Sequence, residues 1–240
     1  GVCFLDAWLE DETLQAIAAE NNLSETAFLV AGRDGYELRW FTPVIEVALC
    51  GHATLASAFV LFEHADWPQP TVRFQTRRSG ELVVAQEGER LVMDFPARPA
   101  AATQAPAGLK AALGVEPVAV LNSAEDLLVV LESEPHVRSL APDFAALATV
   151  DCRGVIVTAR GGEEDFVSRF FAPRVGVPED PVTGSAHCVL IPYWAGVLGK
   201  NILTARQVSR RGGALFCEDR GTRVRIGGKA ALYLEGTLTI

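Results

Sequence analysis

The sequence predicts an α+β fold made of two similar halves, each a set of strands around one buried helix. Three observations carry this prediction. Arg39-Trp40-Phe41-Thr42-Pro43 returns about 130 residues later as Arg169-Phe170-Phe171-Ala172-Pro173. At nearly the same spacing, Gly51-His52-Ala53 returns as Gly184-Ser185-Ala186, and Ser79-Gly80-Glu81-Leu82 as Gly212-Gly213-Ala214-Leu215. Each Gly motif opens an apolar segment long enough for a buried helix, and each follows a hairpin pattern. The first hairpin, Phe28 to Arg39, turns at Gly32-Arg33-Asp34-Gly35; the second, Val155 to Arg169, turns at Arg160-Gly161-Gly162. Segments that keep order and spacing in this way mark an internal duplication.

The elements follow in order. Glu10-Asp11-Glu12 gives an acidic first turn, and Leu14, Ile17 and Ala18 recur at helical spacing, so a helix is predicted over 11–21 and ended by Asn21-Asn22. Residues 27–30 and 36–41 read as the two strands of the first hairpin. The segment 51–63 has few polar residues on any face, which marks a helix enclosed by other structure. Strands are predicted over 71–76, 81–86 and 90–94. The Ala- and Pro-rich stretch 96–108 reads as a linker, placing domains at 1–104 and 105–240. Beyond it come a short helix at 109–113, strands at 117–122 and 127–132, and a helix at 143–148. The second hairpin takes 154–159 and 166–171, and a second enclosed helix takes 183–198. The final strands are predicted at 207–210, 215–218, 223–226 and 231–235.

Composition bounds the function. With 240 residues, of which 49% are hydrophobic, the chain can bury one large core or two modest ones. A net charge of −9 argues against sequence-independent nucleic-acid binding, which is carried by an excess of Lys and Arg. The five Cys residues are scattered, with no Cys-x-x-Cys, and read as reduced thiols of a cytoplasmic protein. No apolar run approaches the ~20 residues of a membrane span.

The chemistry concentrates at the two Gly motifs. Gly51 and Gly184 each stand where a buried helix begins, so backbone N–H groups and the positive helix end offer a place for a small anion such as a carboxylate. Glu25, at the mouth of a strand, is a candidate proton carrier, and His52, Asp180 and Ser185 surround the Gly turns. An enclosed carboxylate is expected to have a raised pKa, which suits a group that takes and returns one proton. The bland readings are a solvated Glu25, helix-capping roles for His52 and Ser185, a turn role for Asp180, and apolar filling by Cys50 and Cys188.

Four motifs in order give a specific resemblance. Asn22-Leu23-Ser24-Glu25-Thr26-Ala27-Phe28-Leu29, Arg39-Trp40-Phe41-Thr42-Pro43, Leu49-Cys50-Gly51-His52-Ala53-Thr54-Leu55-Ala56 and Glu179-Asp180-Pro181-Val182-Thr183-Gly184-Ser185-Ala186 resemble the PhzF-like family of the diaminopimelate-epimerase-like superfamily, along essentially the whole chain. The resemblance implies two homologous domains, each a β-barrel-like sheet wrapped around a central helix, with the site in the cleft between them. It further implies an isomerase acting on a small carboxylated metabolite such as trans-2,3-dihydro-3-hydroxyanthranilate, without cofactor or metal and as a homodimer, while charge and the lack of an apolar span predict no nucleic-acid or membrane partner. The family's acid/base Glu falls on Glu25 and its polar site residues on His52, Asp180 and Ser185, beside Gly51 and Gly184. Family members begin with a strand and a Gly-Asn-Pro-Ala segment before the point matched by Gly1, so the first strand of the first domain is expected to be missing. Two alternatives stay open: an epimerase or racemase using Cys50, for which the second helix mouth supplies no matching thiol, and a small-molecule binding protein that has lost the reaction.

Overall fold

Along Thr71–Thr76 the buried Val72 and Phe74 alternate with exposed Thr71, Arg73 and Gln75, the pattern of a strand with one face on a core. Such strands dominate a computed structural model that describes residues 1–239. Contacts divide the chain into two units: one takes Gly1–Asp94 and the segment from Gly227 onward, the other Phe95–Ile226.

The first unit runs β1 (Val2–Leu5), α1 (Asp11–Asn21), β2 (Thr26–Ala31), β3 (Tyr36–Phe41), β4 (Glu46–Val47), α2 (Gly51–His64), β5 (Thr71–Thr76), β6 (Glu81–Glu87) and β7 (Arg90–Pro96). Its sheet order is β1-β2-β3-β5-β6-β7, with β4 paired to β3. Strand β1 lies parallel to β2, a pairing that requires a crossover, and α1 provides it. Asn22 closes α1 in the left-handed conformation, its N–H reaching the carbonyls of Ala18 and Ala19. Leu14 and Ala18 of α1 pack with Phe28 and Phe41. Helix α2 touches the neighbouring β1 and β2 and also β6, which lies beyond β3 and β5 in the sheet order, so the sheet curls around it. No position of α2 from Gly51 to Phe62 is exposed, as its apolar sequence predicts. Gly35 has a φ of +146° where β3 meets β5, and a Cβ there would sit 2.2 Å from the Arg73 carbonyl oxygen.

The second unit repeats this plan. It contains β8 (Ala101–Ala102), α3 (Leu109–Leu113), β9 (Ala119–Ser123), β10 (Asp126–Val130), α4 (Glu134–Ser139), α5 (Phe144–Leu147), β11 (Gly154–Arg160), β12 (Phe166–Ala172), β13 (Val177–Asp180), α6 (Gly184–Leu198), β14 (Ile202–Gln207), β15 (Gly213–Asp219) and β16 (Arg223–Gly228). The order is β16-β15-β14-β12-β11-β10-β9-β8, with β13 paired to β12. As β1 is parallel to β2 and β3 to β5, so β10 is parallel to β11 and β12 to β14. Helix α6 packs on β10, β14 and β15.

The duplication extends to side chains. Arg39 on β3 makes two parallel bonds to Glu46 on β4, at 2.8 and 2.9 Å, with its guanidinium 4.9 Å from the Phe41 ring centre. Arg169 on β12 makes two parallel bonds to Glu179 on β13, at 2.7 and 3.0 Å, 4.8 Å from the Phe171 ring centre. Each pair fastens a short return strand just ahead of a central helix.

Several expectations are corrected. The strand predicted at 207–210 is β14, Ile202–Gln207; Leu203, Ala205 and Gln207 point inward, while Ser209 leaves the sheet to bond the Pro181 carbonyl. Residues 231–235 carry strand-forming side chains but no regular structure, with Tyr233 98% exposed. Strand β1 and helix α4 were not anticipated. Ser133-Glu134-Pro135 was a readable start signal for α4, with Ser133 at the N-cap and Pro in the first turn. Among the described residues, no helix is long and apolar enough to cross a membrane.

Candidate functional site

Glu25 is the residue immediately before β2, and His52 is the second residue of α2. The curled sheet therefore brings a strand mouth onto a helix mouth within one unit. Glu25 Oε2 lies 2.9 Å from His52 Nε2, with side-chain exposures of 19% and 27%. At this distance the two groups form a close ion pair whenever His52 is protonated. Cys50, at the N-cap of α2, is buried and puts its sulfur 3.7 Å from Nε2 and 3.8 Å from Nδ1 of the same ring.

The electrostatics correct the expected raised pKa of Glu25. Burial alone would raise it, but His52 outweighs burial, with help from Ser24 and Cys50, and holds the carboxyl below its ordinary value. Burial opposes charge on His52 too. The Cys50 sulfur and the Glu25 carboxylate overcome that and push it up to about 11. Burial pushes the Cys50 thiol up. At neutral pH the Cys50 thiol stays protonated, and the Glu25 carboxylate favours the charged form of His52.

Helix α2 begins at Gly51 with no side chain capping it. Thr54 satisfies the Cys50 carbonyl twice, through its N–H at 3.1 Å and its hydroxyl at 2.7 Å, but neither bond uses the N–H groups of Gly51, His52 or Ala53. The Ala53 N–H faces the Cys50 sulfur, which leaves the N–H groups of Gly51 and His52 at the helix end where an anion is expected.

In the second unit, Gly184 and Ser185 open α6, again without a side-chain cap. Asp180 ends β13; its Oδ2 accepts the Thr183 hydroxyl at 2.7 Å and its carbonyl accepts Gln207 Nε2 at 2.6 Å. Ser185 Oγ accepts from an Arg153 NH2 group at 3.2 Å. The structure thus gathers Glu25, Gly51 and His52 at one helix mouth, and Asp180, Gly184 and Ser185 at the other.

Arg153 and Asp126 escaped the sequence reading. Arg153 forks onto the buried Asp126 through Nε at 2.9 Å and through its NH2 group. Its guanidinium lies 5.6 Å from the Phe170 ring centre. The available signal was a charged residue at the mouth of each of two apolar strands, Asp126 on β10 and Arg153 ahead of β11. His187, in the first turn of α6, is fully buried; its Nδ1 donates to the Thr183 carbonyl at 2.7 Å, and burial pushes it down to about 4.

Residues 1–236 match the model of a family described as phenazine biosynthesis-like protein. The chain belongs to the PhzC-PhzF family. A Pseudomonas aeruginosa protein described as an uncharacterized isomerase is 60% identical over 238 residues, covering 99% of this chain and 91% of that protein. The crystal structure of a PhzF-family protein from Enterococcus faecalis, 46% identical, superposes with a TM-score of 0.97 over 100% of this chain and 92% of that one. A probable proline racemase from Agrobacterium radiobacter, 10% identical, matches at 0.56 over 94% and 82% and shares the fold alone. The PhzC-PhzF chain therefore has the α+β fold of the diaminopimelate epimerase type.

Proposed function

We propose that this PhzC-PhzF protein is a cofactor-independent isomerase that moves a proton between two carbons of a small carboxylated metabolite, with Glu25 as the acid/base. The observation that carries this reading is the Glu25 carboxylate, partly enclosed and 2.9 Å from a cationic His52. A base that removes a proton from carbon must start ionised, and the lowered pKa keeps Glu25 so. Once protonated, Glu25 exchanges with solvent through its partly exposed side chain, and the cation beside it favours renewed ionisation, so a solvent-derived proton is readily given to a second carbon. The fixed positive charge also stabilises negative charge developing on the substrate.

The other groups bind and orient. In the first unit the N–H groups at Gly51 suit a carboxylate or an enolate oxygen and His52 a polar substituent; in the second unit Gly184 offers a like helix end, and Asp180 and Ser185 suit polar substituents. Names of relatives support the reaction class, since the Pseudomonas aeruginosa relative is described as an isomerase. The substrate class is our reading from the anion-binding ends, and a homodimer is proposed alongside it, to be checked by sedimentation. The function is tested by incubating the protein in D2O with cyclic and amino-substituted carboxylates. Carbon-bound deuterium at a shifted position supports an isomerase; deuterium on the starting carbon with inversion would make it an epimerase instead.

A further inference from the structure

Glu25, Cys50 and His52 bring one oxygen, one sulfur and one nitrogen within 4.8 Å of one another. Around a tetrahedral zinc ion, with bonds of about 2.0–2.3 Å, neighbouring ligand atoms stand roughly 3.2–3.7 Å apart. His52 Nε2 is 3.7 Å from Cys50 Sγ, at the edge of that range, and 2.9 Å from Glu25 Oε2, a pair that must open slightly to admit an ion. Two of the three are withdrawn from water: Cys50 is 6% exposed, and the Glu25 Oε2 atom is buried.

We propose that these three side chains form a zinc site, and that zinc bound there silences the protein by occupying Glu25. The donor set chooses the ion. A thiolate with an imidazole and a carboxylate favours zinc over magnesium or calcium, which take oxygen ligands. Three protein ligands leave a fourth tetrahedral position for water. On binding, Cys50 and His52 each release a proton to solvent, and the Glu25 lone pair that would accept a substrate proton is held by the metal. The binding half of the proposal stands on geometry alone. The silencing half rests on Glu25 being the acid/base proposed above.

The test titrates zinc chloride into the full chain against a chromophoric chelator, and cobalt(II) chloride as a spectroscopic probe. One zinc per chain is expected, and cobalt should give a thiolate-to-metal charge-transfer band. Cys50→Ser should abolish that band and weaken zinc at least about 100-fold, beyond the 10–100-fold typical of losing an outer partner. Glu25→Gln should weaken zinc while keeping the cobalt–sulfur band. Absence of stoichiometric binding, or unchanged binding and band in Cys50→Ser, would overturn the site. Deuterium incorporation that continues with zinc bound would overturn silencing while leaving the site standing, and a lack of any deuterium incorporation without zinc would count against the isomerase reading alone.

Discussion

His52 Nε2 stands 2.9 Å from Glu25 Oε2, tying the first turn of α2 to the residue that enters β2. The pair gives stability a definite dependence on pH. The raised His52 contributes in full below its ordinary value of 6.5 and loses that contribution as pH rises through about 11. The lowered Glu25 contributes above its ordinary value of 4.5 and loses that contribution as pH falls. In His52→Gln, the Glu25 carboxyl should titrate at higher pH than in the parent, as read by carbon-13 NMR of labelled glutamate. An unchanged titration would remove His52 as the cause.

His187 acts with the opposite sign. Its folded value of about 4 lies below 6.5, so its contribution is present above 6.5 and lost as pH falls toward 4. At roughly 1.4 kcal/mol per pKa unit, charging it costs about 3 kcal/mol. Denaturant midpoints measured from pH 7 to pH 4 should fall for the parent and fall less for His187→Asn.

The second of the duplicated clamps predicts a loss of stability that a double substitution partly restores. Arg169 is 11% exposed against 21% for Glu179, so removing one partner leaves a largely buried charge. Arg169→Met should cost about 3 kcal/mol, near the lower end for broken buried pairs, and Arg169→Met with Glu179→Gln should recover part of it. Equilibrium unfolding of the two variants checks the recovery.

Packing around the first central helix gives a further stability test. Leu61 in α2 is fully buried, and Leu61→Ala should cost about 2–5 kcal/mol in urea unfolding. Gly35→Ala should also destabilise, since its Cβ meets the Arg73 carbonyl oxygen at 2.2 Å and its φ is +146°.

Much of this fold was legible because the two halves share a pattern. The recurrence of Arg39 and Arg169 ahead of Gly51 and Gly184 located both central helices, and turn residues between apolar runs located β5 and β6. Strand-forming side chains at 231–235 misled, because propensity does not supply a neighbouring strand to pair with. At the candidate site, the motifs singled out Glu25, Gly51 and His52, which the fold brings together. The lowered pKa of Glu25 was not legible, because it depends on a through-space distance between residues far apart in sequence. Arg153 and Asp126 escaped for the same reason: their fork exists only once β10 and β11 lie side by side.

The central claim is that Glu25 carries the proton, and deuterium incorporation tests it most directly. Parent and Glu25→Gln proteins would be incubated in D2O with a carboxylate that the parent labels, and binding would be measured in parallel by calorimetry. Glu25→Gln should bind the compound with similar affinity but lose carbon-bound deuterium incorporation by at least about 100-fold. Undiminished incorporation in Glu25→Gln would contradict it.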